Sequence, residues 1–234
     1  SRAPGRYPHV SHHGNQSVTS LGENLRQSPA VRNAIATIRL SVDEPDESFY
    51  RKYMGGSALG AYYALRETPP GADPVGPENV LVLSLSVLTG LPISGLSRVT
   101  ATARSPLTGA IGDGQAGGFW PVELRRAGYD AVVITGASPH PVYLWVHDGE
   151  AELRDAGHLW GKPTAEAEAA IRAELGDARI QVLQTGVAGE RRVRMACLIN
   201  MANRAAGRTG MGAVMGAKGL KAVAVRGKAQ PRPV

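Results

Sequence analysis

The chain is built from short apolar segments whose spacing changes between the two-residue period of β-strands and the longer period of helices. Ile38, Leu40 and Val42 alternate with polar residues, and residues 98–104 repeat this alternation. Such a pattern predicts strands with one buried face. Predicted strands and helices do not follow one another in regular alternation, which favours an α+β fold over a doubly wound α/β sheet.

The same reading predicts the elements one by one. Strands are expected at residues 38–42, 79–88, 98–104, 131–135, 179–184, 192–199 and 220–225. Helices are expected at residues 49–54, 58–67, 120–127 and 164–175, with a partly helical segment at 205–219. Residues 105–118 are predicted to be a glycine-rich loop.

Turn and cap residues punctuate these elements. Asp148-Gly149 lies between two apolar runs and predicts a two-residue hairpin that joins residues 142–147 to 150–154. Ser57 and Thr164 are the predicted N-caps of two helices. Gly176 is the predicted stop of the second of these helices.

Composition suggests one principal domain with two polar ends. Residues 1–29 lack apolar periodicity and are predicted to be a flexible arm, residues 30–228 form the domain, and residues 229–234 begin a linker or tail. No apolar run approaches the roughly 18 residues of a membrane span. The first 26 residues also lack the apolar core of a signal peptide. A chain that neither enters nor crosses a membrane is therefore expected.

The chain has a single cysteine, Cys197. It cannot form an internal disulfide, and alone it cannot ligate an iron–sulfur cluster. This usage favours a reducing compartment, and we expect a cytoplasmic protein. Because Cys197 falls in a predicted apolar strand, an inert buried thiol is a better interpretation than a nucleophile.

The chain is basic, and its cations are mostly arginine. There are 26 Lys plus Arg against 20 Asp plus Glu, the formal charge is +6, and five of the cations are Lys. This arginine excess indicates either a composition bias or a polyanionic partner, such as nucleic acid or a phosphate-bearing cofactor. Nucleic-acid binding lacks support, because there are two Phe and no stripe of interleaved basic and aromatic residues.

Two glycine clusters have arginines nearby. The first, residues 112–117, matches G-x-G-x-x-G, but turn residues rather than a strand precede it and no acid follows at the spacing of a dinucleotide site. The second, residues 204–218, is not a phosphate-binding P-loop, because Ala217 replaces the required glycine. Each cluster is either a close-packed turn or an anion-binding backbone. Two such clusters together favour a ligand with more than one phosphate.

Candidates for direct catalysis are poor, and no catalytic residue is predicted. Neither H-E-x-x-H nor G-x-S-x-G occurs in the sequence. His140, His147 and His158 have no partner residue at a spacing typical of a known site.

Several short sequence motifs occur in a fixed order along the chain. They are Tyr53-Met-Gly-Gly56, Leu59-Gly-Ala-Tyr62, Pro77-Glu-Asn-Val80, Leu88-Thr-Gly90, Ser105-Pro-Leu-Thr-Gly109, Glu123-Leu-Arg-Arg-Ala-Gly-Tyr-Asp-Ala131, Pro141-Val-Tyr143 and the run from Arg204-Ala-Ala-Gly-Arg208 to Leu220-Lys-Ala222. Together they resemble the N-terminal domain of the aldehyde:ferredoxin oxidoreductases, which are tungsten-pterin enzymes. The resemblance runs over about four-fifths of the chain, residues 37–227.

This resemblance implies an α+β domain with two β-sheets in a pseudo-duplicated arrangement and short flanking helices. It also implies a bis-pterin cofactor that carries tungsten or molybdenum, with a magnesium ion bridging the pterin phosphates. By similarity, Arg98, Gln115, Gly117, Arg204 and Ala205 contact the cofactor. Gln115 and Ala205 are the implied contacts of the magnesium ion.

The sequence departs from the family pattern at three inner positions. Gln115 stands where the family usually has Asn, Ser57-Ala58 where it has Arg-Gly, and Ser86-Val87 where it has Gly-Pro. Residues 1–33 do not match the family's opening strand. The family's [4Fe–4S] ligands lie in later helical domains, so the cluster is expected only outside this chain.

The resemblance implies a cofactor-binding domain of an enzyme that oxidises aldehydes to carboxylic acids. Its implied partners are helical domains or a subunit carrying the iron–sulfur cluster and a ferredoxin-like electron carrier. The oligomeric state is left open, and a homo-oligomer is one of the options. We expect the chain to be inactive alone, as a fragment or one subunit. The alternative is a solitary, non-catalytic domain of the same fold that binds another anion or a partner protein.

Overall fold

The computed structural model describes residue 38 and residues 45–229. These residues form two β-sheets and six α-helices, which confirms the α+β prediction. Ile38 is buried in the core. The predicted arm at residues 1–29, most of the predicted strand at 38–42 and residues 230–234 lie outside the described residues.

The first sheet, called sheet A, has four strands in the order β3-β2-β1-β4, and every neighbouring pair is antiparallel. On β2, Val99, Ala101 and Ala103 share one buried face, as their alternation predicts. The strands are β1 (Leu81–Ser84), β2 (Arg98–Arg104), β3 (Ile111–Gly117) and β4 (Ala131–Ile134).

The second sheet, sheet B, has six strands in the order β6-β5-β10-β7-β8-β9. All its pairs are antiparallel except β5 with β10, which is parallel. The strands are β5 (Val142–His147), β6 (Glu150–Asp155), β7 (Gln181–Thr185), β8 (Leu198–Asn200), β9 (Arg204–Ala206) and β10 (Leu220–Arg226).

The described helices are short, and none is long and apolar enough to cross a bilayer. A 3₁₀ turn lies at Gly157–Leu159. The α-helices are α1 (Glu47–Tyr53), α2 (Gly56–Glu67), α3 (Trp120–Arg126), α4 (Thr164–Leu175), α5 (Val187–Glu190) and α6 (Met211–Ala217).

The main core lies between the two sheets and includes α3 and α6. Trp120 of α3 is fully buried there, and its Nε1 donates to the Val223 carbonyl of sheet B at 2.8 Å. The outer faces are covered separately: Leu59 of α2 packs with Val82 of sheet A, and α4 packs on sheet B through Ile171. Burial of apolar side chains on both faces makes each sheet a central layer.

The hairpin and the longest helices follow the predictions closely. Asp148 and Gly149 form the β5–β6 turn, both with positive φ (44° and 87°), as the Asp-Gly pair predicts. Helix α4 ends at left-handed Gly176. The predicted N-caps are wrong, because Gly55 and Pro163 occupy those positions and neither makes a side-chain cap bond.

The predicted loop at residues 105–118 is also wrong, because residues 111–117 form β3. The strand pairs along its whole length with β2, from Arg104↔Ile111 to Arg98↔Gly117. Glycine has weak strand propensity by itself, but here the ladder and the close approach of another backbone decide the conformation. The prediction failed because neither of those is visible in local sequence.

Two predicted strands are much shorter in the structure. Residues 79–88 contain only β1, and residues 192–199 contain only the start of β8 at Leu198. Arg192 adopts a left-handed conformation (φ 56°) within a turn, which ends any strand there. Cys197 therefore precedes β8 and is half-buried, so the expected buried strand thiol is wrong.

Candidate functional site

A cleft of about 470 Å³ opens where β3 of sheet A meets the segment that follows β9 of sheet B. The two walls come from the two glycine clusters of the sequence, which lie far apart in the chain. The lining residues are Asp113, Gly114, Gln115, Ala205, Gly207 and Arg208.

The glycines of β3 let the two walls approach each other. A Cβ on Gly114 would lie 3.1 Å from the Arg208 carbonyl oxygen, and a Cβ on Gly112 would lie 2.6 Å from the Thr209 Cβ. Side chains at these two positions would push the second wall away. Gln115, which alternates with them along the strand, is exposed at the cleft.

Asp113 links three segments at the edge of the cleft. The Ser57 hydroxyl at the start of α2 donates to the Asp113 carboxylate. The Thr209 hydroxyl donates to the Asp113 backbone carbonyl at 3.0 Å, and Ser105 Oγ donates to the Thr209 carbonyl at 2.8 Å. These bonds attach the wall from sheet B to both α2 and the β2–β3 hairpin.

Strand register brings three of the predicted site residues to the same end of this interface. Arg98 lies opposite Gly117 in the β2–β3 ladder, and Arg204 lies opposite Asn200 in the β8–β9 ladder. Asn200 Nδ2 donates to the Gly117 carbonyl at 2.9 Å and joins the two ladders. Since Gln115 and Ala205 line the cleft, all five predicted residues are on or next to it.

The turn between β8 and β9 has a strained backbone. Met201 and Ala202 both have positive φ (51° and 57°) although neither is glycine, a conformation that costs free energy for such residues. The Glu168 carboxylate of α4 accepts a hydrogen bond from the Ala202 backbone N–H at 2.9 Å and so fixes the turn. The buried Glu168 is itself paired with Arg172. The turn carrying Arg204 and Ala205 is therefore fixed by the layer beneath it.

Three arginines near the cleft have no acidic partner among the described residues and could bind an anion. Arg98, Arg204 and Arg208 are exposed, and none forms an ion pair with a described carboxylate. Elsewhere arginines pair with acids: Arg179 and Arg226 hold the pKa of Asp177 below its usual range. Unpaired guanidinium groups beside exposed backbone suit an anion with several oxygen acceptors.

Protein side chains alone do not make a metal site in the described part of the chain, where no group of three His, Cys, Asp or Glu residues converges. Cys197 lies just behind the cleft, since a Cβ on Gly207 would be 3.8 Å from its sulfur. A metal ion in the cleft would need ligands from backbone carbonyls and from a bound molecule. Gln115 and Ala205 line opposite walls of the cleft.

Sequence reasoning missed two residues of this site, Asp113 and Asn200. Asp113 was hidden inside the predicted loop, and only its place within the glycine motif could have drawn attention to it. Asn200 carried no signal, because a polar residue at the end of a predicted strand is ordinary.

The chain belongs to the family described as "Aldehyde ferredoxin oxidoreductase, N-terminal domain", which it matches over residues 35–227. It is 43% identical over 197 residues to the tungsten-containing aldehyde ferredoxin oxidoreductase of Pyrococcus furiosus. That alignment covers 84% of this chain and 33% of the relative. The chain thus spans about a third of the length of this curated relative.

Two further relatives have other activities in their names. The "Aliphatic sulfonate oxidoreductase, WOR-like subunit" of Pyrococcus furiosus is 32% identical over 199 residues, covering 79% of this chain and 32% of the relative. Among solved structures, a chain of the active-site complex BamBC of benzoyl coenzyme A reductase, in complex with 1,5-dienoyl-CoA, is 40% identical with a TM-score of 0.78. This match covers 80% of our chain and 29% of the other.

Proposed function

We propose that this chain provides one face of the binding site for a tungsten (or molybdenum) bis-pterin in an oxidoreductase that converts aldehydes to carboxylic acids. The observation that carries the proposal is the cleft itself. Two glycine-rich segments from different sheets meet there, with Gln115 and Ala205 on opposite walls and Arg98 and Arg204 at one end. The family's tungsten-containing members support the nature of the cofactor.

The residues present fit such a group. Pterin phosphates need several cationic or N–H donors. Arg208 lines the cleft and Arg98 and Arg204 lie next to it, and these three exposed arginines have no described carboxylate partner. A bridging magnesium ion needs oxygen ligands, which the backbone carbonyls of Gln115 and Ala205 and the phosphates would supply. The Asp113 carboxylate would disfavour a bare phosphate beside it, so it suits a ligand that arrives with a cation.

In this proposal the bound metal supplies the two-electron redox chemistry. The residues of this chain bind and orient the cofactor: the arginines neutralise phosphates, and Gly114 lets the wall that carries Arg208 lie close to β3. Cys197 is the only cysteine of the chain, so the [4Fe–4S] cluster would be held by the rest of the protein or by a partner subunit. A ferredoxin-like carrier, a cytoplasmic location and a homo-oligomer complete the proposal, without nucleic acid as a partner.

The test is the metal content of the full-length protein purified from its own host or reconstituted with its partner domains. We expect tungsten or molybdenum by mass spectrometry, and loss of most of it in the double variant Arg98→Ala/Arg204→Ala. Arg51→Ala is the matched control, because Arg51 is an exposed arginine paired with Glu47 on α1. A wild-type protein without either metal contradicts the proposal and favours a non-catalytic domain that binds another anion.

The substrate needs its own test, since the structural neighbour from benzoyl coenzyme A reductase is nearly as similar as the aldehyde-oxidising relatives (40% against 43% identity). The metal-loaded protein is assayed with aldehydes and an electron acceptor, and separately with an aromatic acyl-CoA and a low-potential donor. Turnover of aldehydes supports the proposed reaction. Turnover of the thioester alone overturns the substrate assignment and leaves the cofactor assignment intact.

A further inference from the structure

We propose that Asn200 is a positioning residue that sets the spacing between the two segments that hold the cofactor. It joins the end of β3 in sheet A to the β8–β9 hairpin in sheet B. The inference rests on the proposed function, because it concerns how the two walls of that site are held together. Asn200 itself is not assigned a contact with the cofactor.

The position of Asn200 connects residues that are otherwise remote. Its side chain is fully buried, and Nδ2 donates to the Gly117 carbonyl, 83 residues earlier in the chain, at 2.9 Å. Its backbone lies opposite Arg204 in the β8–β9 ladder. A shift of Asn200 would therefore move Gly117 relative to Arg204.

Gly118, the residue after Gly117, packs closely against the Asn200 side-chain amide. Gly118 has φ +135°, and a Cβ there would overlap the Asn200 amide group. The Ser97 hydroxyl donates to the Gly118 carbonyl. The backbone beside Arg98 is thus held between Ser97 and Asn200, and only a glycine at position 118 allows this approach.

The Asn200 side chain leaves one of its own polar atoms without a hydrogen-bond partner in the described part of the chain. Its Oδ1 is buried without a hydrogen-bond partner among the described residues, and an unpaired buried acceptor lowers stability. An apolar residue would avoid that cost. What an apolar residue cannot provide is the hydrogen bond between the two sheets at the cofactor site.

The decisive variants are Asn200→Asp, which keeps the shape but loses the N–H donor, and Asn200→Ala, which loses the donor without adding a charge. In the full-length protein we expect the rate of metal loss on dialysis to rise about tenfold in each, the effect of losing one buried hydrogen bond. In the metal-free protein, hydrogen exchange at residues 117–119 and 204–205 should also rise about tenfold.

Asn79→Asp and Asn79→Ala are the matched controls. Asn79 is equally buried and donates to the Arg104 and Pro74 carbonyls, away from the cleft residues. We expect the Asn79 variants to lose global stability but to keep the wild-type rate of metal loss and the wild-type exchange at residues 117–119 and 204–205.

Three results separate the inference from the proposed function. Equal metal loss in the Asn79 and Asn200 variants shows a merely structural role and overturns the inference. Wild-type exchange and metal retention in the Asn200 variants overturn it as well. A wild-type protein that never holds tungsten or molybdenum contradicts the proposed function instead, and the exchange comparison alone then decides whether Asn200 joins the two segments.

Discussion

The two glycine-rich segments, residues 112–117 and 204–218, use glycine in different ways. Residues 112–117 form a regular strand, in which glycines leave room for the opposite wall of the cleft. In residues 204–218, Gly210 adopts a left-handed conformation (φ 79°), while Gly212 and Gly216 let α6 pack directly on other backbone. Glycine content alone therefore does not distinguish a loop from a strand or a helix; the neighbouring backbone does.

The largest expected effect comes from filling the helix contact of the second segment. In Gly216→Ala, the new Cβ would lie closer than 3.0 Å to the Gly189 backbone. Because the α6 and α5 backbones are in direct contact here and neither can move without disturbing the other helix, we expect a loss of about 3 kcal/mol in the free energy of unfolding. Urea unfolding of the protein measures it.

Gly207→Ala is the control within the same segment. Its Cβ would be 3.8 Å from the nearest atom, Cys197 Sγ, so we expect a change of no more than about 0.5 kcal/mol in the free energy of unfolding. Equal losses in Gly216→Ala and Gly207→Ala would show that the two kinds of glycine do not differ.

A smaller effect is expected in the first segment, where a side chain rather than backbone is in the way. Gly112→Ala places Cβ 2.6 Å from the Thr209 Cβ, and we expect a loss of about 2 kcal/mol in the free energy of unfolding. Thr209→Gly removes the obstructing side chain at a position with φ 63°, which glycine accepts readily.

The double variant Gly112→Ala/Thr209→Gly should therefore lose less free energy than the two single changes predict together, by about 1 kcal/mol in a double-mutant cycle. If the two changes are additive in that cycle, a side chain at position 112 does not clash with Thr209, and the prediction is contradicted.

The end of the second segment predicts a pH dependence. Lys218 is fully buried, and its Nζ donates to the Pro77 and Gly136 carbonyls. Burial lowers its pKa to about 8. Between pH 8 and the ordinary value of 10.5, the unfolded chain binds a proton that the folded chain does not. Stability therefore rises with pH, and this group contributes about 1 kcal/mol between pH 7 and pH 9.

Lys218→Met should remove that contribution, which unfolding curves at the two pH values will show. Lys221 is the internal comparison, because it is equally buried but paired with Glu190. If the wild type and Lys218→Met respond to pH identically, the folded and unfolded pKa values of Lys218 do not differ.

The smallest effect concerns the strained turn before the second segment. Ala202→Gly relieves a left-handed alanine (φ 57°) but makes the unfolded chain more flexible. Because relief of the strain outweighs the added flexibility of the unfolded chain, we expect the free energy of unfolding to rise by about 0.5 kcal/mol, as measured by thermal or urea unfolding. Ala165→Gly, in the first turn of α4, should instead lose a similar amount.

Much of the fold could be predicted from residue patterns. The β5–β6 hairpin follows from Asp148-Gly149, and the bounds of α4 and β2 match the apolar periodicity and the helix stop at Gly176. These elements are decided locally, by turn geometry and by one buried face. The family resemblance, which the comparisons confirm, added the two-sheet architecture that periodicity alone did not give.

The site was harder, because contacts distant in sequence decide it. Strand β3 looked like a loop since its stability comes from β2 and the opposite wall. Asn200 looked like any polar strand end, and its importance appears only when its amide is found against Gly117. The roles assigned to Arg98, Gln115, Gly117, Arg204 and Ala205 stay predictions, although the fold brings these residues together.

The central place of β10 in sheet B has a consequence for synthesis on the ribosome. Strand β10 is translated after every other strand of the sheet, yet it pairs with both β5 and β7. Until it emerges, β5 and β6 cannot join β7, β8 and β9 into one sheet, and the Trp120 indole lacks its Val223 acceptor. The chain therefore completes its long-range pairing after translation of residues 220–226, and a nascent chain stalled before them should present no assembled cleft.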